Sequence, residues 1–353
     1  PLQGHQTRCS NQGKIIGCSE NLFNRKSAGK GICMPINIRC LTPNFQHGTG
    51  GNSVTAKRWG KFLKTLGHKF EITSDPTPKS CDLLIALHAR KNAVGIRRMA
   101  KQFPHVPIVV ILTGTDLYHD IVGNQAAQHS LDLAERLIIL QPYGVHALPD
   151  EYQKKTVTIL QSAKPPAAFC KPLKHNFEVT VVGNLRTVKD PFRTAMAARL
   201  LPDASRIVVT HIGAALTPSM NTRANREERI NRRYTWRGSL TRHLTLKAIA
   251  RSRLLVVSSK MEGGANVISE AIVAGTPVLS THISGSLGML GKNYPGYFPI
   301  ADTVALAELL LQAETDTTFY KQLCDHCLKR AKMFNPDKER KALKQLLSDL
   351  RLT

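Results

Sequence analysis

The chain has 353 residues, 42% of them hydrophobic, and a formal charge of +24 from 49 Lys and Arg against 25 Asp and Glu. This length suits two domains better than one, and no apolar run approaches the ~20 residues that a membrane helix needs. The basic excess calls for an anionic partner, whether nucleic acid, an acidic membrane surface or a phosphorylated small molecule.

Residues 1–33 show no apolar periodicity and no signal-peptide core, and Met34 stands directly before a strand-like "INIRCLTP". The expectation is a non-native or disordered N-terminal extension over 1–33, outside the fold. Cysteines 9, 18, 33, 40, 81, 170, 324 and 327 are scattered, which reads as a reduced, cytoplasmic chain. Cys324-Asp-His-Cys327 has metal-like spacing but no second pair to complete four ligands.

From Met34 onward, short apolar runs predict strands at 36–41, 68–72, 82–87, 107–112, 136–140 and 156–160. Helical patterns fit between them. One covers 52–66, with Val54, Phe62, Leu63 and Leu66 facing inward and Lys57, Arg58, Lys61 and Lys64 forming a basic side, either solvated or lying on a membrane. A Pro-rich break at 163–176 reads as a linker, after which strands are predicted at 177–182, 206–211, 234–237, 253–257 and 276–280. The tail, 318–351, reads as helical and is expected to pack across both domains. The pattern predicts an α/β architecture of two Rossmann-like domains with parallel sheets facing a cleft. The domains are placed at 34–165 and 166–335, with a C-terminal helix at 336–353.

In such sheets, ligands bind outside the carboxyl ends of the strands. The first strand is followed by Gly48, Gly50 and Gly51, which let backbone approach a ligand but do not spell a dinucleotide fingerprint. Later strand ends carry His88, Arg90 and Lys91, then Thr113, Gly114, Thr115 and Asp116, then Gly183, Arg186 and Lys189. Arg186 and Lys189, three apart, suit a diphosphate grip. The stretch "SSKMEGGANVISEAIVAGTPVLST" (258–281) reads as strand, glycine turn, helix, strand. Its helix should open near Gly264 or Asn266, a place that favours anions. Glu262 and Glu270, eight residues apart, would lie on one side about two turns from each other; solvated surface glutamates are the alternative. The stretch 223–243 holds seven arginines with Tyr234 and Trp236 among them, a mix suited to nucleic acid, though without any known binding motif.

Arg186…Lys189 followed by Glu262-Gly263-Gly264…Glu270, in the second of two Rossmann-like domains, resembles the family 4 glycosyltransferases of GT-B fold. "LHARKN", "LTGTDLY", "GNLRTVKDPFR", "SSKMEGGANVISEAIVAGTPVL" and "YPGYFP" together resemble the selenosugar synthases of selenoneine biosynthesis, from Met34 to about Asn335. The resemblance implies two substrates, selenophosphate and a UDP-sugar (UDP-N-acetylglucosamine or UDP-glucose). It also implies that Arg186 and Lys189 neutralise the diphosphate, that Glu270 holds the ribose, and that Glu262 and the backbone of Gly263, Gly264, Ala265 and Asn266 reach sugar and phosphate. Gly50, Gly51 and Gly183 join this donor set. Arg186, Lys189, Glu262 and Asp116 form the expected catalytic set. His88, Arg90, Lys91, Thr113, Gly114 and Thr115 form the acceptor set. Asp116 is expected to orient the sugar or Arg90. No Asp-x-Asp occurs in the chain, so no metal or other cofactor is expected. The alternative is an ordinary family 4 transferase with a hydroxyl acceptor, such as a lipid, glycan or small molecule. No nucleic-acid partner and no stable membrane insertion are expected, while the hydroxyl-acceptor alternative would want a base and an acceptor pocket that could stand at a membrane.

Overall fold

The computed structural model describes residues 34–43, 45, 50–166 and 175–352; the extension read over 1–33 and Gly48 lie outside the described residues. Twelve strands form among the described residues. The first six are β1 (Asn37–Leu41), β2 (Lys69–Thr73), β3 (Leu83–Leu87), β4 (Ile108–Leu112), β5 (Arg136–Ile139) and β6 (Thr156–Thr158). The second six are β7 (Phe177–Val182), β8 (Ile207–Ile212), β9 (Tyr234–Trp236), β10 (Leu254–Val257), β11 (Val278–Thr281) and β12 (Tyr297–Phe298). They make two six-stranded sheets, in orders β2-β1-β3-β4-β5-β6 and β12-β11-β10-β7-β8-β9. Every strand pairing is parallel. The apolar runs explain this arrangement. β3 and β4 are buried at every position, as strands covered by helices on both faces must be.

Each sheet reverses direction once, between β1 and β3 in the first and between β7 and β10 in the second. A crevice opens beyond the carboxyl ends of the strands at such a reversal. The loops after β3, β7 and β10 therefore place His88–Lys91, Gly183–Lys189 and Glu262–Ala265 where a ligand would sit. β12 escapes sequence reading because a two-residue strand has no periodicity to detect.

The helix Gly51–Thr65 differs from its predicted packing. Its buried side is Ser53, Thr55, Ala56, Trp59, Gly60 and Leu63, while Val54, Phe62 and Leu66 are only partly covered. Gly60 allows the Phe70 ring of β2 to lie against the helix, since a Cβ there would stand 2.8 Å from that ring. Arg58 is not part of an exposed basic stripe. It turns inward, with Nε donating to both oxygens of Glu339 at 3.1 and 2.9 Å.

The tail crosses from one lobe to the other. Helix Thr317–Ala331 contributes Phe319, Leu323 and Cys327 to the second lobe's core. Helix Pro336–Asp349 then lays Leu343, Leu346 and Leu347 on the first lobe, against the cluster that contains Trp59 and Leu63. Beside this crossing runs the outgoing chain, where Ala163 N–H donates to the Phe334 carbonyl at 3.1 Å. Glu339 joins both crossings. Besides Arg58, its buried carboxylate accepts from Trp59 Nε1 at 2.8 Å, from Ser162 N–H at 2.8 Å and from the Ser162 hydroxyl.

In the second lobe, His211 of β8 is fully buried. Its Nε2 lies 3.1 Å from the Gly183 carbonyl, which can only accept, so Nε2 carries the proton and Nδ1 accepts from the Tyr234 hydroxyl at 3.0 Å. Burial pushes its pKa down from 6.5 to about 4.

Two outcomes are expected. Glu339→Ala leaves Arg58 without its carboxylate and should lower folding stability by about 3 kcal/mol in denaturant unfolding; a loss under about 0.5 kcal/mol would refute the central part given to Glu339. For His211, the unfolded chain takes up a proton below pH 6.5 whereas the folded chain resists until about pH 4. Stability therefore rises with pH across that window and is lost on acidification, by on the order of 3 kcal/mol. His211→Gln should flatten that part of the stability-against-pH curve; an unchanged slope would show that other groups cause it.

Candidate active site

The loops after β7 and β10 clamp each other. The Ser258 hydroxyl donates to the carbonyls of Lys189 and Asp190 at 3.2 and 2.9 Å, and Lys260 N–H donates to the Val188 carbonyl at 2.9 Å. Lys189 sits on the short turn Thr187–Lys189 and its Nζ donates to Glu262 Oε1, which also accepts from the Ser259 hydroxyl at 2.6 Å. Glu262 is buried, at 8% exposure. Arg186 is half-buried and has no carboxylate partner among the described residues.

Gly263 and Gly264 are needed first by the protein itself. A Cβ on Gly263 would stand 2.4 Å from the Thr113 carbonyl carbon, and one on Gly264 would stand 2.6 Å from Leu140 Cβ. Gly114, at φ +133, faces the Gly263 amide in return, and a Cβ there would lie 2.8 Å from that nitrogen. Backbone thus packs on backbone across the cleft, which only glycine allows. The helix beyond them, Asn266–Ala274, begins without a side-chain cap because Ala265 occupies the N-cap. Asn266 Oδ1 accepts from Arg58 Nη1 at 2.9 Å, and Gly51 lies beside its amide nitrogen. Gly50 caps the neighbouring helix in extended conformation.

Residues 258–265 are not helical, so Glu262 and Glu270 are related by a loop and one helical turn from Asn266, not by two turns of helix. Glu270 is 5% exposed, which excludes the solvated alternative for this pair. Arg242 Nη2 stands 2.8 Å from Glu270 Oε1 but off the hydrogen-bonding direction, leaving Oε1 without a donor among the described residues. Burial raises the Glu270 pKa, while Arg242 and then Arg58 pull it back.

On the first lobe, His88 adopts φ 80, unusual for a side chain of this size and a form of strain found at functional sites. Its Nδ1 accepts from Lys91 N–H at 3.4 Å, so the proton belongs on Nε2, 3.0 Å from Thr115 Oγ1. Burial lowers the His88 pKa, against the upward pull of Asp116 and Asp120. Asp116 opens a π-helical turn, Asp116–Asp120, a distortion also frequent at functional sites. Asp116 itself is fully buried. Its oxygens accept from Ala89 N–H at 3.0 Å, Thr113 N–H at 2.8 Å and Gly114 N–H at 2.9 Å. It ties the β3 loop to the β4 loop and does not meet Arg90. The partner of Arg90 is Asp120, whose Oδ2 lies 2.8 Å from Arg90 Nε but, like Glu270 Oε1, receives no aligned hydrogen bond among the described residues. Lys91 has its pKa lowered by the desolvating cleft walls, then by the charges of Arg186 and Arg90. It remains solvent-accessible, so screening tempers that effect. The Arg186 charge of the second lobe thus acts on Lys91 of the first.

Sequence reasoning gave no site role to Arg58, Asp120, Ser259 or Arg242. Asp120 carried a signal, standing four residues after Asp116 in "DLYHD". Two other sequence motifs are absorbed by structure. Cys327 is buried with its thiol against the Tyr294 hydroxyl at 3.6 Å. In the arginine-rich stretch, Arg233 is taken up by the carbonyls of Pro202, Ser205 and Ile207, Tyr234 is buried, and Trp236 Nε1 donates to the Gly213 carbonyl at 2.8 Å. Tyr234 belongs to the core, and Trp236 packs partly buried against it.

Residues 171–333 match the family of glycosyl transferases group 1. No curated protein sequence matches the chain. Among solved structures, a sucrose-phosphate synthase from Thermosynechococcus elongatus is similar at 15% identity and TM-score 0.70, covering 89% of this chain and 99% of that one. Alr3699/HepE of Anabaena, solved with UDP-glucose, gives 15% identity and TM-score 0.70, covering 89% and 100%. A UDP-forming trehalose-phosphate synthase from Burkholderia vietnamiensis gives 13% identity and TM-score 0.63, covering 78% and 73%. The fold is that of the GT-B enzymes, and residues 171–333 carry the sequence signal of glycosyl transferases group 1.

Proposed function

We propose that the chain uses a UDP-sugar, UDP-N-acetylglucosamine or UDP-glucose, to glycosylate selenophosphate, forming a C–Se bond on the way to a 1-seleno-sugar for selenoneine biosynthesis. The observation that carries this reading is the close contact of the Thr113-Gly114 loop with Gly263, which joins strand ends of the two lobes next to the buried Glu262 and its partner Lys189. The donor half draws support from the Anabaena structures holding UDP and UDP-glucose on the same fold. Glu270, a buried carboxylate paired with Arg242 Nη2, suits ribose hydroxyls. Arg186 and Lys189 would balance the charge gathering on the diphosphate, and the uncapped helix start would add backbone N–H groups.

Selenophosphate is an anion with a soft nucleophile, so the attack needs positive charge near C1 and no base. Selenium would bond to C1 while the C1–O bond breaks and UDP leaves with the electron pair. Water would then cleave the Se–P bond, releasing phosphate and the seleno-sugar. Arg90 and Lys91 would hold the selenophosphate oxygens, with Thr113, Gly114 and Thr115 beside them. Asp116 would keep the two loops in register. The reading places the work in a reducing, cytoplasmic setting, without a metal. One observation favours a second reading, a hydroxyl acceptor: the buried Asp120 carboxylate, paired with Arg90 and 3.9 Å from His88 Nε2, is a group that could accept a hydroxyl proton.

Incubation with UDP-N-acetylglucosamine and selenophosphate should yield a seleno-sugar by mass spectrometry, and EDTA should not stop it. Loss on chelation, restored by magnesium or manganese, would contradict the metal-free reading. Arg186→Ala or Lys189→Ala should each cut turnover roughly a hundredfold, about 3 kcal/mol, and Glu270→Ala should mainly raise the KM for UDP-sugar. Arg90→Ala should raise the KM for selenophosphate more than that for the UDP-sugar. Full turnover in both cation variants would show that the donor site is misplaced.

A further inference from the structure

We propose that Arg58, contributed by the first lobe, is a positioning residue of the donor site, holding Asn266 at the opening of the donor helix and so making nucleotide binding depend on the docked lobes. The inference rests on the UDP-sugar reading above and adds a residue that no motif places there.

Arg58 sits on helix Gly51–Thr65 with its side chain 13% exposed. One edge of its guanidinium is fixed, because Nε donates to both oxygens of Glu339, whose side chain is fully buried. The fork is planar, so fixing Nε aims the other nitrogens. Nη1 donates to Asn266 Oδ1 at 2.9 Å, which orients the amide so that Asn266 Nδ2 points at the Gly51 carbonyl, 3.5 Å away. Asn266 is the first residue of the uncapped helix, and Glu270 lies one turn further along the same face. The Arg58 charge reaches Glu270, pulling its pKa down against burial. Nη2 is buried without an acceptor among the described residues, and a buried donor left unpaired is costly unless a ligand atom meets it.

A lysine in place of Arg58 could meet Glu339 as a point charge but could not reach Asn266 in the same geometry. The arginine therefore does two things at once: it neutralises the carboxylate at the lobe junction, and it fixes the helix start against which a diphosphate would rest. Nucleotide binding and lobe docking become linked, since each stabilises the arrangement the other requires.

Calorimetric titration with UDP, alongside thermal melting, tests this. Arg58→Met alone leaves Glu339 charged and buried, so Arg58→Met is made in a Glu339→Gln background, which serves as its reference. Arg58→Met should weaken UDP binding about tenfold there, and Asn266→Ala should do the same. Adding Arg58→Met to Asn266→Ala should weaken it no further, because both remove one interaction. In the otherwise unchanged chain, Arg58→Lys should recover Tm but not UDP affinity. Additive losses, or a lowered Tm with unchanged UDP affinity, would overturn the inference and leave the donor reading standing. Wild-type protein that binds no UDP would overturn the donor reading and this inference with it.

Discussion

A single buried carboxylate organises the junction on which the cleft depends. Glu339 lies at the start of the last helix, yet its partners come from helix Gly51–Thr65 and from the chain leaving the first sheet at Ser162. A carboxylate moved out of water is tolerated only when charge and hydrogen bonds replace its solvation. Here a guanidinium, an indole, an amide and a hydroxyl do so together. The geometry must be met by segments 177 to 281 residues apart, so the arrangement forms only when both crossings between the lobes are in place. That requirement sets where the second lobe's loops stand over the first.

The cleft follows from this docking and from two sheet reversals facing each other. Gly263 meets the backbone of Thr113-Gly114 directly, which brings the loops of β4 and β10 closer than side chains would permit, and Gly264 lies against Leu140. Cations then gather from both sides while the carboxylates among them are withdrawn from solvent. Glu262 is satisfied by Lys189 and Ser259. Glu270 and Asp120 each keep an oxygen with a nearby arginine but no aligned hydrogen bond. Buried polar atoms of this kind are uncommon, and a hydroxyl-rich ligand would relieve them.

Much of this was legible in the sequence because parallel strands are apolar on both faces. Runs such as DLLIAL and PIVVIL needed only local pattern, and the polar loops that follow them mark the strand ends. Long-range partners had no such signal. Nothing near Arg58 points to Glu339, so a basic helix stripe was the natural reading and the inward turn of Arg58 was invisible. Helix Gly51–Thr65 was misoriented for a related reason: its buried side carries Ser53, Thr55 and Gly60, which hydropathy does not flag. The Glu262–Glu270 spacing suggested two helical turns, but the glycines delay the helix until Asn266. Asp116 and Asp120 stand four apart in one motif, and only the structure separates the loop clamp from the partner of Arg90.

The account stands or falls on a nucleotide bridging these elements. The most direct measurement is a crystal structure of the protein with UDP-N-acetylglucosamine or UDP. The account predicts ribose hydroxyls within hydrogen-bonding distance of Glu270 and the diphosphate against Arg186, Lys189 and the amides at Gly264–Asn266. A nucleotide bound elsewhere, or one whose diphosphate touches none of these groups, would contradict it.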